Sequence, residues 1–261
     1  YVEKCFSAIG QVGTLAGSEI TPEVLGEADV LLVRSVTKVN AELLAGSDLK
    51  FVATATIGVD NVDTEYLRDR GIGFASAPGS NSESVAEYVV AALLNIAEGY
   101  GFAPEDKSIG IIGVGNVGSK VERKVRGLGM EVILNDPPLK RQTGDRKYRP
   151  LDELFDCDIL SLHTPLTMSG PDRTFHLAGG DFFDSCREDV FFINTARGAV
   201  ADTDAVKNAL AENKARGAVI DVWENEPDID FEFLEMVDVA TPHIAGYSLD
   251  GKVNGMIMIS E

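Results

Sequence analysis

The chain has 261 residues, 44% of them hydrophobic and 25% charged, a composition typical of a globular protein with room for two domains. Its formal net charge of −19 argues against binding to nucleic acid, because phosphate contacts need a basic surface, and against a polybasic membrane anchor. The longest apolar stretch, residues 85–97, contains Glu87 and is too short to cross a bilayer, so no membrane partner is expected.

Short runs rich in β-branched residues alternate with amphipathic stretches along the chain. This alternation predicts an α/β fold, in which crossover helices connect the strands of a parallel sheet. The predicted strands span residues 29–33, 49–55, 72–77, 108–113, 131–136, 158–163, 190–194 and 217–223. The clearest helical patterns span residues 82–98, 116–127, 152–156 and 202–213. Gly99, Gly101 and Pro104 interrupt the pattern after the first of these helices, so we place a domain boundary after residue 98.

A glycine-rich turn follows the fourth predicted strand. The sequence SIGIIGVGNVG places Gly113, Gly115 and Gly118 between a strand and a helix. The first glycine permits a tight turn, the second lets a pyrophosphate approach the backbone, and the third lets the helix pack close to the strand. The next strand ends in Asp136, whose carboxylate can bind a ribose 2′-hydroxyl and would repel a 2′-phosphate. The pattern predicts a site for NAD rather than NADP; the alternative is a glycine-rich turn in another α/β fold.

Three polar residues follow three later apolar runs. Arg197 lies in INTARGAV, Glu226 in DVWENEP and His243 in TPHIAGY. The carboxyl ends of parallel strands form one edge of a sheet, where ligands bind in folds of this kind. An arginine, a carboxylate and a histidine at that edge can together handle a 2-hydroxy acid. Taken singly, each residue has an ordinary alternative: a surface ion pair, a solvated loop or a packed strand end.

The remaining polar candidates are expected to have structural roles. His163 and His176 are the only other histidines, and no carboxylate motif is paired with His163. Glu224 and Glu226 share an acidic loop in which either could be solvated, and Trp223 is expected in the core. The surroundings of Asp60 and Asp63 indicate a turn and a helix start, so no metal site is predicted.

The cysteines are widely spaced and form no CxxC, which favours reduced thiols in the cytoplasm; they are Cys5, Cys157 and Cys186.

Five motifs together resemble the NAD-dependent, D-isomer-specific 2-hydroxyacid dehydrogenase family. They are GVGNVG, HTPL, INTARG, DVWENEP and TPHIAG, and their order and spacing match over residues 30–252. RSVTKVN, TATIGVDNVD, NDPPLK and HIAGYSLDGK more specifically resemble a branch that oxidises 4-phospho-D-erythronate in vitamin B6 biosynthesis. The resemblance implies two doubly wound parallel-sheet domains, one a flavodoxin-like substrate domain and the other a Rossmann NAD-binding domain.

The resemblance also assigns roles to the three residues at the sheet edge. His243 would take the proton of the C2 hydroxyl while a hydride leaves C2, a task that suits imidazole because its ordinary pKa lies near neutrality. Glu226 would bond the other ring nitrogen and stabilise the imidazolium. Arg197 would hold the substrate carboxylate with its forked guanidinium.

Further ligand contacts follow from the resemblance. For NAD they are Gly113, Gly115, Asn116, Val117, Gly118, Asp136, Thr164, Asp221, Gly246 and Tyr247. For the phosphorylated 2-hydroxy acid they are Ser35, Thr56, Gly58 and Tyr247, with the backbone at residues 57–59 facing the carboxylate. Arg34 and Lys38 are our own candidates for the terminal phosphate.

The expected domain arrangement is a substrate-binding domain at 1–98, an NAD-binding domain at 99–245, and the start of a return to the substrate domain at 246–261. A flavodoxin-like domain begins with a strand, whereas this chain opens on the helical pattern YVEKCFSAIGQV, so we expect the first strand to be missing. In the branch that the chain resembles, a C-terminal dimerisation domain follows, so a homodimer of the longer protein is expected.

Two alternatives stay open at the level of sequence. The first keeps the chemistry but changes the substrate to D-3-phosphoglycerate, hydroxypyruvate or a D-lactate-like acid. The second is a non-catalytic NAD-sensing interaction protein. An intact set of Arg197, Glu226 and His243 disfavours the second alternative, because a sensing protein has no need of all three.

Overall fold

The structure is a computed structural model that describes residues 2–261. In chain order the elements are α1 (Val2–Phe6), α2 (Pro22–Leu25), β1 (Val30–Val33), β2 (Phe51–Thr54), α3 (Thr64–Asp69), β3 (Gly73–Ser76), α4 (Ser82–Tyr100), β4 (Ser108–Ile112), α5 (Gly118–Gly127), β5 (Glu131–Asn135), α6 (Pro137–Thr143), β6 (Ile159–Leu162), α7 (Gly180–Ser185), β7 (Val190–Asn194), α8 (Thr203–Ala211), β8 (Ala215–Ile220), α9 (Phe231–Met236), β9 (Val239–Ala240) and α10 (Leu249–Met258). Short 3-10 helices lie at Gly17–Glu19, Pro104–Asp106, Leu151–Leu154 and Gly198–Val200.

The chain divides into two compact units. The first contains the residues up to Ser82 together with Tyr247–Glu261, and the second is the continuous segment Glu83–Gly246. The sequence placed this boundary after residue 98, within α4. The structure places it after Ser82, the first residue of α4, because Val89 and Leu93 of that helix pack in the core of the second unit.

The first unit is built on three parallel strands in the order β1-β2-β3. Its core contains apolar side chains from the sheet and from the segments around it, including Val33, Val52 and Leu67. Helix α3 begins at the N-cap Asp63, whose carboxylate accepts a hydrogen bond from the N–H of Tyr66 at 2.9 Å, as the sequence predicted for a helix start. Helix α10 approaches the end of β2 closely, since a Cβ on Gly255 would lie 2.6 Å from the carbonyl oxygen of Ala55.

The second unit is built on six parallel strands in the order β5-β4-β6-β7-β8-β9. The strand order reverses between β4 and β6, so the loops after these two strands border the crevice in which open α/β sheets bind ligands. Both faces of the sheet are covered. Ile111 and Ile193 pack with α4 and α5 on one face, whereas Leu160 and Phe192 pack with α7 and α8 on the other. Strands buried on both faces explain why the sequence runs are almost continuously apolar.

The predicted α/β class with parallel sheets is confirmed, and a strand occurs in each of the eight predicted runs. The last of them is displaced, because β8 begins at Ala215 and ends at Ile220, before the chain turns at Asp221. The helix predicted at 152–156 is a 3-10 helix at Leu151–Leu154. Strand β9 was not predicted, since its two residues are too few to show a period.

Within residues 2–261 no helix is long and apolar enough to span a membrane. Across the same residues no group of three or more His, Cys, Asp or Glu side chains is arranged to hold a metal ion. The three cysteines are free thiols, of which Cys157 and Cys186 are buried. Burial raises the pKa of the Cys157 thiol to about 11 and that of Cys186 to about 12.

Candidate active site

The glycine loop after β4 has the shape that a bound pyrophosphate requires. Gly113 has a φ of 88°, and a Cβ there would lie 2.8 Å from the backbone of His163 in the loop after β6. A Cβ on Gly118 would lie 2.0 Å from the carbonyl oxygen of Gly113, so only glycine lets α5 start this close to β4. No atom of the surrounding described residues lies within 4 Å of the corresponding position on Gly115, which leaves room for a ligand beside the amino end of α5.

Asp136 closes the far side of the same loop. One carboxylate oxygen accepts a hydrogen bond from the N–H of Val114 at 2.8 Å, and the other caps α6 by accepting from the N–H of Leu139 at 2.9 Å. Both bonds come from backbone groups, and each carboxylate oxygen retains a second lone pair for a ligand hydroxyl. Asp136 therefore has a structural role that the sequence did not predict.

Thr164 supplies a test of whether a cofactor fits here. Its hydroxyl is buried without a hydrogen-bond partner among the described residues, and its methyl group lies 2.9 Å from the Cβ position of Gly113. Buried hydroxyls are normally satisfied, so an unpaired one beside an open glycine loop fits a ligand that supplies the missing partner. The residues at this edge therefore fit a dinucleotide.

The histidine and the glutamate predicted for catalysis are in direct contact. His243 Nδ1 lies 2.9 Å from Glu226 Oε2, and an ionised carboxylate can only accept, so the ring nitrogen donates. Glu226 Oε1 accepts from the N–H of Trp223 at 2.7 Å, which fixes the carboxylate. The Nε2 atom is thereby left to exchange a proton with a ligand, on a side chain that is 47% exposed.

The contact changes the pKa of both groups. The hydrogen bond to Glu226 raises the pKa of His243 above its ordinary value, although burial and the charge of Arg197 oppose this shift. Burial alone would raise the pKa of Glu226, but hydrogen bonds from His243 and Trp223 outweigh burial and lower it. The pair therefore favours a carboxylate beside an imidazolium.

Asp221 holds the loop that carries His243. Its buried carboxylate accepts from the hydroxyl of Thr241 at 2.6 Å and from the N–H groups of Ile244 and Ala245 at 2.8 and 2.9 Å. The hydroxyl of Tyr88 on α4 lies 2.6 Å from that of Thr241, and it must donate, because the Thr241 proton points to Asp221. The sequence predicted a cofactor contact for Asp221 and did not predict this anchoring role.

Arg197 lies in the turn after β7, and its side chain is half-buried. The turn is folded by Asn194, whose buried amide accepts from the N–H of Ala196 at 3.0 Å and donates to the carbonyl of Arg197 at 3.1 Å. The positive charge of Arg197 lowers the pKa of both Glu226 and His243, which places the three groups within electrostatic reach. Asn194 was missed, because an asparagine at a strand end carries no signal of its own.

The predicted substrate contacts other than Arg197 lie in the first unit. Arg34, Ser35 and Lys38 are exposed in the segment after β1. Asn61 fixes that segment by donating to the carbonyl oxygens of Arg34 and Thr37 at 3.0 and 2.7 Å.

Thr56 and Tyr247 also lie in the first unit. The hydroxyl of Thr56 donates to the carbonyl of Gly58 at 2.9 Å, so it shapes the 56–59 loop from within. Tyr247 is 70% exposed, with the Lys252 ammonium 3.5 Å from its ring centre. Hydrogen bonding and charge from Lys252, with a smaller effect from Arg34, lower the pKa of its phenol.

The two other histidines differ from each other. Burial lowers the pKa of His163 to about 3, so its ring is neutral, and its nitrogens lie near the hydroxyls of Ser161 and Thr195 at 2.9 and 3.4 Å. His176 Nε2 lies 2.7 Å from Glu224 Oε1. Glu224 is therefore a paired side chain, and the alternative in which it is merely solvated is wrong.

A family model described as D-isomer specific 2-hydroxyacid dehydrogenase, NAD binding domain, matches residues 91–245. The chain belongs to the D-isomer-specific 2-hydroxyacid dehydrogenase family, and the expectation of an NAD-dependent dehydrogenase is confirmed. The whole chain is 50% identical over 266 residues to the erythronate-4-phosphate dehydrogenase of Salinibacter ruber and covers 68% of that relative. It is 45% identical over 262 residues to the erythronate-4-phosphate dehydrogenase of Escherichia coli and covers 69% of it.

A solved structure with a similar fold is the D-lactate dehydrogenase of Aquifex aeolicus, which is complexed with NAD and lactic acid. The TM-score is 0.80 at 27% sequence identity, and the alignment covers 99% of this chain and 89% of that one. The predicted family and its cofactor are thus supported by sequence and by fold, and the predicted branch is supported by sequence.

Proposed function

We propose that the protein oxidises 4-phospho-D-erythronate at C2 with NAD, giving (R)-3-hydroxy-2-oxo-4-phosphobutanoate in pyridoxal 5′-phosphate (vitamin B6) biosynthesis. The observation that carries the proposal is the 2.9 Å bond between His243 and Glu226, beside a glycine loop that fits a dinucleotide. The sequence identity of 50% and 45% to two relatives named erythronate-4-phosphate dehydrogenase supports 4-phospho-D-erythronate as the substrate among 2-hydroxy acids.

His243 is the proposed general base. Its Nε2 takes the proton of the C2 hydroxyl, a carbonyl forms at C2, and the hydrogen at C2 leaves as a hydride. Glu226 orients the ring through Nδ1 and stabilises the imidazolium that results. In the reverse direction the imidazolium returns the proton, so one group serves as base and acid.

Arg197 is the proposed partner of the substrate carboxylate. Its guanidinium offers two parallel donors to a carboxylate, a geometry that lysine cannot match. In the first unit Ser35, Thr56 and the backbone around Gly58 are the proposed substrate contacts. The hydroxyl of Thr56 bonds the carbonyl of Gly58 and so helps to hold the loop at 56–59 in shape.

The cofactor contacts are proposed for the residues around the glycine loop. When bound, NAD supplies the acceptor for the hydride from C2. Asp136 would bind the ribose hydroxyls and Thr164 would donate to the bound molecule. The full proposed set is Gly113, Gly115, Asn116, Val117, Gly118, Asp136, Thr164, Asp221, Gly246 and Tyr247.

The terminal phosphate is proposed to bind near Tyr247. Lys252 lies against the Tyr247 ring, and Arg34 also acts on its phenol, so two cations share the surroundings of one exposed tyrosine. Such a cluster opposes the overall charge of −19 where a phosphorylated acid must bind. Arg34 and Lys252 are therefore the stronger candidates, and Lys38 is the weaker one.

The assembly and location proposed are a homodimer of the longer protein and the cytoplasm. Free thiols at all three cysteines suit a reducing compartment.

NADH formation from three acids, measured side by side by absorbance, tests the proposed activity. We expect the highest kcat/KM with 4-phospho-D-erythronate, compared with D-3-phosphoglycerate and D-lactate. His243→Ala should reduce kcat by about 10²–10⁴-fold, the usual contribution of general acid–base catalysis. Equal or better turnover of D-3-phosphoglycerate would refute the substrate assignment. Bound NAD without turnover of any acid would favour a sensing protein.

A further inference from the structure

The segment that contains His176 is attached to the loop after Arg197. The N–H of His176 donates to the carbonyl of Ala199 at 2.9 Å, and the N–H of Ala178 donates to the carbonyl of Val200 at 3.1 Å. His176 has a φ of 52°, in the left-handed region that a histidine rarely adopts. This conformation is held by the pairing on both sides, which fixes the direction in which the imidazole points.

The imidazole of His176 connects that segment to the loop after β8. Its Nε2 lies 2.7 Å from Glu224 Oε1, and the other oxygen of Glu224 accepts from the N–H of Thr203 at 2.9 Å. Its Nδ1 lies 3.3 Å from Asp202 Oδ2, and the ring of Phe175 stacks on it with a centroid separation of 4.0 Å. Burial raises the pKa of Glu224, but the bonds from His176 and Thr203 outweigh burial and lower it.

Glu224 lies two residues before Glu226 in the same loop. A Cβ on Gly198 would lie 2.0 Å from the carbonyl carbon and oxygen of Trp223, so the loop after Arg197 touches the backbone just before Glu224. Trp223 in turn donates to Glu226. The loop that carries Glu226 is thus held against the loop that carries Arg197. His176 connects the same two loops, since its ring binds Glu224 and its backbone N–H binds Ala199.

We propose that His176 is a positioning residue for the reaction: by binding Glu224, it fixes the loop of Glu226 relative to the loop of Arg197. The proposal rests on the proposed function in one respect, namely that Glu226 acts through His243. A positional error of about 1 Å in such a group can cost about 10²-fold in rate, so a contact one loop away is enough to matter.

A purely structural role for His176 makes a different prediction. Loss of a stabilising contact would lower the melting temperature without changing the surroundings of His243. Loss of positioning would loosen Glu226, which is the group that raises the pKa of His243. The other charged groups that shift the pKa of His243 are Asp221, which raises it, and Arg197, which lowers it. Asp221 is held by Thr241 and by the backbone N–H groups of Ile244 and Ala245. The pKa of His243 therefore distinguishes the two roles.

The test is an NMR titration of the histidine ring protons in the full chain, without substrate. Only three histidines are present, and His243→Ala assigns the relevant resonance. In His176→Ala we expect the pKa of His243 to fall towards its ordinary value and kcat to fall about 10- to 100-fold. Because the titration needs no substrate, its outcome is independent of which acid the enzyme oxidises.

Two variants control the experiment. His176→Gln keeps a donor for Glu224 and should restore most of the pKa and of kcat. Asp204 lines a cavity of about 320 Å³ together with His176 and Glu224. In Asp204→Asn the pKa of His243 should be the same as in the wild type. If His176→Ala does not fold, Glu224→Gln probes the same contact and should shift the pKa of His243 in the same direction. An unchanged pKa of His243 in the folded variant would show that His176 serves stability alone.

Discussion

At the scale of single residues, the Glu226–His243 pair stabilises the fold most within a limited range of pH. The pKa of His243 is raised in the folded state, so its contribution to stability is full below the unfolded pKa of about 6.5 and is lost as pH rises through the folded pKa. The pKa of Glu226 is lowered, so its contribution is present above the unfolded value of about 4.3 and is lost as pH falls through the folded pKa. The pair thus stabilises the fold most between these limits.

Glu226→Gln tests this pair through the pH profile of activity. The neutral form of His243 is the base, so oxidation should accelerate as pH rises through a pKa above about 6.5. Glutamine removes the carboxylate charge that raises this pKa, so the rise should move to lower pH, and kcat should fall because the imidazolium loses its partner. The measurement is kcat/KM against pH. A profile that does not move would mean that another group sets the pKa.

Single residues also explain what the sequence could not predict about the site. Arg197, Glu226 and His243 could be chosen because each follows an apolar run and because the motifs resemble one family. The anchoring by Asp221 and the pairing of His176 with Glu224 are contacts between residues 20 or more positions apart in sequence. No local pattern encodes such contacts, so only the fold could show them.

At the scale of elements, a chain of hydrogen bonds holds the loop of residues 241–245 to its neighbours. It starts at Tyr88 on α4, passes through Thr241 and ends on Asp221 after β8. Each hydrogen bond joins buried or half-buried polar groups. Removing the acceptor leaves several donors unpaired, so it should cost more stability than removing the first donor.

Asp221→Asn and Tyr88→Phe test that network as a matched pair. Asparagine turns one acceptor into a donor that faces backbone N–H groups, so we expect a loss of about 1–3 kcal/mol in the free energy of unfolding and a fall in kcat as the His243 loop loosens. Phenylalanine removes only the outermost hydroxyl and should cost about 1 kcal/mol with kcat nearly retained. Denaturant unfolding and steady-state kinetics give the two quantities. Equal effects in both variants would contradict the ordering of the network.

At the scale of elements, the strands with strong apolar runs were predictable and the short helices were not. VFFIN is buried at all five positions and forms β7 as predicted. Helices α7 and α9 have six residues each, which is less than two turns and too short for a 3.6-residue period to be visible. Helix α9 is instead defined by its cap, since Asp230 accepts from the N–H of Phe233 at 3.1 Å.

At the scale of the molecule, ligand binding should stabilise the second unit. The glycine loop, Asp136 and Thr164 all lie within Glu83–Gly246. A ligand that binds only the folded state at 100 times its Kd adds about 2.7 kcal/mol to stability. We therefore expect NAD to raise the melting temperature and to slow amide exchange in residues 83–246 more than in residues 2–82. Asp136→Ala is the control, and an equal rise in that variant would contradict the proposed ribose contact.

The chain leaves the first unit at Ser82 and returns to it at Tyr247, so a continuous second unit is inserted into a discontinuous first one. On the ribosome, strands β1 to β3 emerge long before α10, whose Gly255 packs against Ala55. The second unit can complete its core while the first still lacks α10, since domains fold as units during synthesis. The nascent chain thus acquires the residues proposed for cofactor binding and proton transfer before α10 can join the unit proposed to recognise the acid.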